Sequence, residues 1–229
     1  GKKVRDVSIE IKSGEILGLT GLVGSGRTET ARILFGADMA ESGSVYLDGQ
    51  PIDLHTPRDA ISAGICLLTE DRKSQGLILP QSIRENFGLP NLARYSSRGW
   101  INQETERNAF NRHAGKLLIK MTGPEQPASN LSGGNQQKVV LAKWLERDAR
   151  VLLFDEPTRG IDVGAKYEIY QLLNRLAAQG KGILMISSEL PEVLGMSDRV
   201  IVMHEGRIKG EITDVGNATQ EDILRLAVA

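Results

Sequence analysis

Three short stretches of this chain have residue types and spacing suited to a phosphate chain. The first is G-L-V-G-S-G-R-T-E, Gly21 to Glu29. Gly21, Gly24 and Gly26 follow an apolar run and precede a helix-forming one. Leu22, Val23 and Ser25 therefore belong to a loop whose backbone N–H groups can converge on one anion. The helix after it contributes the partial positive charge of its amino terminus. Thr28 offers a hydroxyl where Mg²⁺ would take an oxygen ligand, and Glu29 follows it. Arg27 stands where such loops carry lysine; its guanidinium keeps the charge, but it is planar and bulkier than an ammonium. Alone, the stretch reads as a phosphate cradle or as a tight strand-to-helix turn.

The second is V-L-L-F-D-E-P, Val151 to Pro157, an apolar strand ending in two acids. A buried strand delivers Asp155 at its tip, where it can hold the water shell of a magnesium ion. Glu156 points elsewhere and can orient or deprotonate an attacking water. The plainer reading is an acidic turn at a strand end. The third is L-S-G-G-N-Q-Q-K, Leu131 to Lys138. The Ser132 hydroxyl and the bare backbone at Gly133 and Gly134 open a helix and can reach a second phosphate, although S-G-G alone is usually a helix cap. One phosphate loop has no use for two cradles on one nucleotide. The economical reading is that this one closes over a nucleotide held by another domain.

The elements that must position these residues can be read from periodicity. Val4 to Ile11 alternates at period two and predicts a strand; E-I-L-G-L-T predicts a second, running into the glycine loop. T-E-T-A-R-I-L-F-G predicts a helix stopping at Gly36. S-G-S-V-Y-L-D-G-Q predicts a strand with an Asp48-Gly49 turn, and Gly64 to Leu68 a buried strand. Residues from about 80 to 130 turn polar, with a helix over Asn108 to Met121, and read as a small inserted helical subdomain. Helix is predicted for Val139 to Glu146 and Ala165 to Ala178, and strand for Val151 to Phe154 and Ile183 to Ser187. A hairpin is predicted around Glu205-Gly206, and a closing helix capped by Thr219 with Asp222 reciprocating. Apolar strands alternating with helices imply an α/β fold, a mainly parallel sheet covered on both faces.

Composition narrows the class. The 229 residues are 40% hydrophobic and 25% charged, enough for one large domain or two packed subdomains. A net charge of -1 offers no broad basic surface for nucleic acid. The single cysteine, Cys66, excludes an internal disulfide and a cysteine-based zinc site, and fits a reducing compartment. The opening G-K-K-V-R-D-V-S-I-E carries no apolar signal segment, and no run approaches a membrane span. Any service to a membrane is expected from the cytoplasmic side, through a partner.

These motifs, in this order and spacing, resemble the ATP-binding-cassette ATPases, with L-S-G-G-N-Q-Q-K as the signature sequence. The resemblance covers essentially the whole chain. With E-D-R-K-S-Q-G-L (Glu70 to Leu77), D-E-P-T-R-G-I-D-V-G-A-K (Asp155 to Lys166) and S-S-E-L-P-E-V-L-G-M-S-D-R (Ser187 to Arg199), the chain looks like the second cassette of bacterial ribose, galactose and xylose importers. The resemblance implies a P-loop NTPase of ABC type, with a mainly parallel core sheet, an antiparallel β subdomain and the inserted helical subdomain. It implies one nucleotide-binding domain over 1–229, the carboxy-terminal half of a two-cassette polypeptide, with ATP and Mg²⁺ as cofactors. Implied partners are the amino-terminal cassette, membrane permease subunits and, indirectly, a periplasmic sugar-binding protein. The implied location is peripheral, on the cytoplasmic face of the bacterial inner membrane.

Departures from an active cassette sit at chemically defined positions. Arg27 replaces the loop lysine. Glu70 lies where cassettes carry the glutamine that touches Mg²⁺ and senses the permease, and a carboxylate there can still bind metal. Ser188 occupies the position of the histidine that contacts the γ-phosphate. Asp162 falls where the family places its dimer seam, and also suits the cap of the helix after it. His55, His113 and His204 receive no role. The adenine-stacking aromatic of such cassettes precedes the first strand, and Phe35, Tyr46 and Trp144 are expected in the core. The expectation is asymmetric labour: Ser132 to Gly134 serve the partner's site, while this domain's own site binds nucleotide and turns over slowly or not at all. A module that is catalytically silent and only completes the partner's site remains the alternative. A cassette of DNA repair or translation is disfavoured by neutral charge and the lack of a coiled-coil insertion.

Overall fold

The glycine loop leaves the end of β1 (Ile16–Gly21) and enters α1 (Arg27–Leu34). A computed structural model describes residues 4–228, apart from the side chain of Lys73. Gly1–Lys3, the start of the charged opening stretch, and Ala229 lie outside the described residues. After α1 come β2 (Val45–Leu47), β3 (Gln50–Ile52), α2 (Pro57–Ala63) and β4 (Ile65–Leu68). A polar stretch carries α3 (Ile83–Gly88), α4 (Leu92–Tyr95), β5 (Ser96–Ser97), β6 (Trp100–Ile101), α5 (Gln103–Lys116) and α6 (Gly133–Leu145). Then follow β7 (Val151–Asp155), α7 (Val163–Ala178), β8 (Gly182–Ile186), α8 (Leu190–Met196), β9 (Arg199–His204), β10 (Arg207–Ile212) and α9 (Gln220–Val228).

The chain divides into two compact units. The first comprises residues up to 67, 150–157 and 173 onward. Its six-stranded sheet runs β10-β9-β1-β8-β7-β4. β1 is parallel to both β8 and β9, β7 is parallel to β8, and β10 runs antiparallel on β9. Side chains alternate faces along each strand. On one face Leu17, Leu19, Leu153, Leu184, Ile186, Ile201 and Met203 pack with Ala31 of α1 and Ala60 of α2. On the other, Val200 and Val202 meet Val193 of α8 and Ile223 and Ala227 of α9. The Asp48-Gly49 turn closes the β2–β3 hairpin with both residues at positive φ, 50° and 74°. Thr219 and Asp222 form the reciprocal cap of α9, with Thr219 N–H donating to Asp222 at 2.9 Å and Asp222 N–H to Thr219 at 3.3 Å.

Three expectations need correction. Residues 4–11 form no strand: Val7, Ile9 and Ile11 do turn toward the core, but Asp6 at φ 50° interrupts the run and it joins no ladder. The central helix of the second unit is Gln103–Lys116, not Asn108–Met121, because Asn102 caps it by accepting from Thr105 N–H at 3.0 Å and Leu118 leaves helical geometry at φ 52°. Tyr46 is 64% exposed on the outward face of a two-stranded ribbon, whereas Trp144 is buried and Phe35 packs against the core.

The second unit comprises residues 68–149 and 158–172. Phe87 anchors it, edge-on to Phe110 at 5.5 Å between centroids and 5.6 Å from the ring of His113. His113 Nε2 lies 2.8 Å from Glu146, at the end of α6. The α6 helix begins at Gly133, as the S-G-G stretch implied and ahead of the Val139 start read from periodicity, and its Lys138 donates to Glu168 at 2.7 Å.

Candidate functional site

In the first unit the loop between β1 and α1 is held by its backbone. Ser25 N–H donates to the Leu22 carbonyl at 3.0 Å, and the Ser25 carbonyl accepts from Gly206 N–H at 2.9 Å. Gly21 sits at φ 150°, where a Cβ would come 2.1 Å from the Met203 carbonyl oxygen, so only glycine fits there. Gly26 caps α1 at φ 100°, and its carbonyl accepts from Thr30 N–H at 2.9 Å and Thr30 Oγ1 at 2.8 Å. Leu22, Val23 and Gly24 are exposed, Ser25 and Gly26 buried, and Thr28 and Glu29 half-buried. The loop opens beyond the carboxyl end of a parallel strand, where open α/β sheets place their ligands.

The neighbouring strand ends supply the rest. β7 brings Asp155, 2% exposed, opposite Ile186 of β8. Glu156 follows at φ 49°, with its N–H on the Ile186 carbonyl at 2.9 Å. That left-handed turn swings the Glu156 carboxylate away from the line of the strand, as the two-acid pattern requires.

Arg27 decides what these groups can do. It is 9% exposed, and its Nη1 donates to the Ser187 carbonyl at 2.9 Å. The same nitrogen lies 3.9 Å from Glu156 Oε1. Ser188 Oγ donates to Glu156 Oε2 at 3.1 Å. The loop cation, the strand-end acid and the Ser188 hydroxyl therefore form one closed set. Ser187 was not singled out by its sequence. Its carbonyl also accepts from Thr20 Oγ1 at 3.0 Å, and its hydroxyl donates to Glu192. A main-chain acceptor leaves no signature in side-chain identity, so only position beside Ser188 pointed to it.

The remaining expected residues lie in the second unit. Glu70 forms an ion pair with Arg159. Ser132 occupies the N-cap position of α6, but its Oγ accepts from Asn135 Nδ2 at 2.9 Å instead of capping a backbone N–H. Gly134 has room for little more than hydrogen, since a Cβ would meet that of Ala165 at 3.0 Å. Asp162 Oδ1 accepts from Ala165 N–H at 3.0 Å and so caps the start of α7. Arg72, unremarked within E-D-R-K, donates from Nη1 to the Arg159 carbonyl at 3.2 Å. Among the described residues no helix is long and apolar enough to cross a membrane.

The family model described as ABC transporter matches residues 4–159. The chain is 52% identical over 223 residues to a protein named Ribose import ATP-binding protein RbsA from Bacillus licheniformis, covering 97% of this chain and 45% of that one. It is 54% identical over 222 residues to a Putative ribose/galactose/methyl galactoside import ATP-binding protein 1 from Rhizobium etli, covering 97% and 42%. The chain thus spans about half the length of the curated relatives it matches. Among solved structures it resembles the dimeric bacterial ABC transporter cassette MJ0796, with a TM-score of 0.77, 25% identity and coverage of 92% and 90%. A nucleotide-free cassette of an ABC transporter shares the fold with a TM-score of 0.81 at 23% identity, covering 99% of this chain and 89% of that one. By motif order, fold and family match together, the chain belongs to the ABC transporter family and has the fold of its ATP-binding cassettes.

Proposed function

We propose that this chain is the carboxy-terminal cassette of a two-cassette sugar-import ATPase, acting from the cytoplasmic face of the bacterial inner membrane. The import names of relatives above 50% identity support the sugar assignment. Its partners are the amino-terminal cassette, the permease subunits and, through them, a periplasmic sugar-binding protein. Ser132, Gly133 and Gly134 close over a nucleotide on the partner cassette, and Asp162 sits at the seam.

Its own site binds MgATP. The N–H groups from Gly21 to Gly26 and the amino terminus of α1 take the phosphates. The Thr28 hydroxyl and the Asp155 carboxylate are hard oxygen donors of the kind Mg²⁺ takes, directly or through water. Glu70, also an oxygen donor, is the remaining candidate metal contact. When bound, the ion neutralises charge across the phosphates. With nucleotide bound, Glu156 would orient an attacking water and Ser188 would contact the terminal phosphate.

The observation that carries the asymmetric reading is the Arg27–Glu156 pair at 3.9 Å, with Arg27 also on the Ser187 carbonyl. A guanidinium held there is not aimed at a phosphate, and a carboxylate with both oxygens engaged is a poor acceptor for a water proton. The loss of one such transition-state contact costs on the order of 10²–10³ in rate. The same observation favours the stricter version, in which this site hydrolyses nothing and only completes the partner's. Sugar uptake by cells carrying the full-length protein tests the shared premise. Gly134→Asp, which puts bulk and charge against Ala165, should abolish uptake of ribose-type sugars, and preserved uptake would overturn the assignment.

A further inference from the structure

Ser187 follows β8 in the first unit, and every polar group it carries is engaged. Its N–H donates to the Leu19 carbonyl at 3.3 Å, which extends the pairing of β8 with β1 past the end of the strand. Its carbonyl accepts from Thr20 Oγ1 at 3.0 Å and from Arg27 Nη1 at 2.9 Å, one donor for each lone pair. Its hydroxyl gives its single proton to Glu192 Oε2 and accepts from Glu189 N–H at 3.0 Å. Ser187 is 0% exposed and Glu192 5%, so water does not stand in for either group.

The bond from Glu189 N–H back to the Ser187 hydroxyl is a local turn of the kind serine makes with its own backbone. A serine hydroxyl alone holds such a turn weakly, because its proton rotates to suit any acceptor. Glu192 removes that freedom: with the proton on its carboxylate, the hydroxyl keeps a lone pair facing Glu189. Glu192 is itself placed by the first turn of α8, where its N–H and that of Val193 bond the Glu189 carbonyl at 3.0 and 3.1 Å. Carboxylate, hydroxyl and helix start together fix the peptide that joins Ser187 to Ser188. That peptide presents the carbonyl held by Arg27, and the Ser188 beyond it holds Glu156 at 3.1 Å.

We infer that Glu192 is a positioning residue that acts through Ser187 to hold Arg27 on the protein and off the phosphate loop. Loss of the hydroxyl's acceptor frees the turn, and the carbonyl moves away from the guanidinium it anchors. The consequence for nucleotide rests on the MgATP site proposed above. The restraint on Arg27 does not, and the two are measured separately.

The test is a double-mutant cycle in the nucleotide-free chain, read by urea unfolding. Glu192→Leu removes the acceptor at similar volume, and Arg27→Met removes the guanidinium. If Glu192 works through Ser187, the two losses overlap, and their combined effect on the unfolding constant should fall short of the product of the single effects by about threefold or more. Glu192→Gln, whose amide oxygen still accepts from the hydroxyl, should leave the cost of Arg27→Met as it is in the parent chain. Ser187→Ala cuts the same link from the other end while keeping the carbonyl, and either link-cutting variant suffices if the other fails to fold. Independent losses, or Glu192→Gln behaving as Glu192→Leu, would overturn the inference. Calorimetric titration with MgATP is the second readout. A guanidinium released from the Ser187 carbonyl is available to phosphate, so Glu192→Leu should tighten binding about threefold or more, a direction that lost packing alone does not produce. Weaker binding, or binding equal to a measurable parent value, would overturn the inference too. No binding by parent and variant alike, with the cycle still coupled, would count against the MgATP site and leave the role of Glu192 standing.

Discussion

Arg27 Nη1 lies 3.9 Å from Glu156 Oε1 and 2.9 Å from the carbonyl oxygen of Ser187, while Ser188 holds the other Glu156 oxygen at 3.1 Å. The arginine that departs from the expected lysine is thus turned into the protein, toward the strand-end acid Glu156. A guanidinium makes this possible because its several N–H groups fan out in one plane, so one can satisfy a carbonyl while the charge faces a carboxylate.

If that set is a structural element, removing the cation should weaken the fold. Arg27→Met takes a charged donor from the Ser187 carbonyl, but Thr20 continues to donate to it. The expected loss is about 1.5 kcal/mol, the lower end for a hydrogen bond to a charged group. Urea unfolding of the two chains measures it; an unchanged midpoint would show that Arg27 carries no structural weight.

A second expectation concerns acid. Burial disfavours the charged form of Glu15, but the Arg199 side chain and the Lys12 N–H, at 2.8 Å, outweigh it and hold the carboxyl below its usual value. A group depressed in the folded state contributes stability above its unfolded pKa, near 4.5, that is lost as pH falls through that value and below. Arg199 also bonds the Glu10 carbonyl at 2.8 Å, which ties the approach to β1 to the start of β9. Glu15→Gln should therefore lower the melting temperature at neutral pH and flatten its decline toward pH ~3. Melting curves across that range, with parallel slopes for both proteins, would refute the assignment.

Glu70 gives a contrasting case. Its partner Arg159 is 68% exposed and Glu70 itself 41%, so the pair is screened by water. Glu70→Gln should change stability by less than about 1 kcal/mol. If Glu70 also meets the metal, the Mg²⁺ concentration for half-maximal ATPase of the full-length protein should rise with that small change. A stability loss of several kcal/mol would instead make Glu70 a structural residue.

Much of this was legible in advance, for reasons that differ by element. The glycine loop could be read because Gly21 and Gly26 need φ values of 150° and 100° that other residues resist. The Asp48-Gly49 and Glu205-Gly206 turns could be read for the same reason. Thr219 and Asp222 announce a cap by their spacing alone. Residues 4–11 misled because alternation reports which side chains face a core, not whether a strand lies alongside to accept hydrogen bonds. The start of α6 could be read from the S-G-G stretch but not from periodicity, which picks the helix up only at Val139, because glycines lower helix propensity and Gly133 and Gly134 pack closely against Arg72 and Ala165. Arg27, Glu156 and Ser188 were each singled out. That they engage one another was not readable, since pairing across sequence separations of 129 and 32 residues depends on the fold (156 − 27 and 188 − 156).

The most direct test of the account is ATP hydrolysis by the full-length two-cassette protein with Glu156→Gln in this cassette. If the Arg27-paired site turns over slowly or not at all, the variant should keep most of the parent's kcat, with the change well under tenfold. A loss on the order of 10²-fold or more, the size expected when a working catalytic carboxylate is removed, would contradict it.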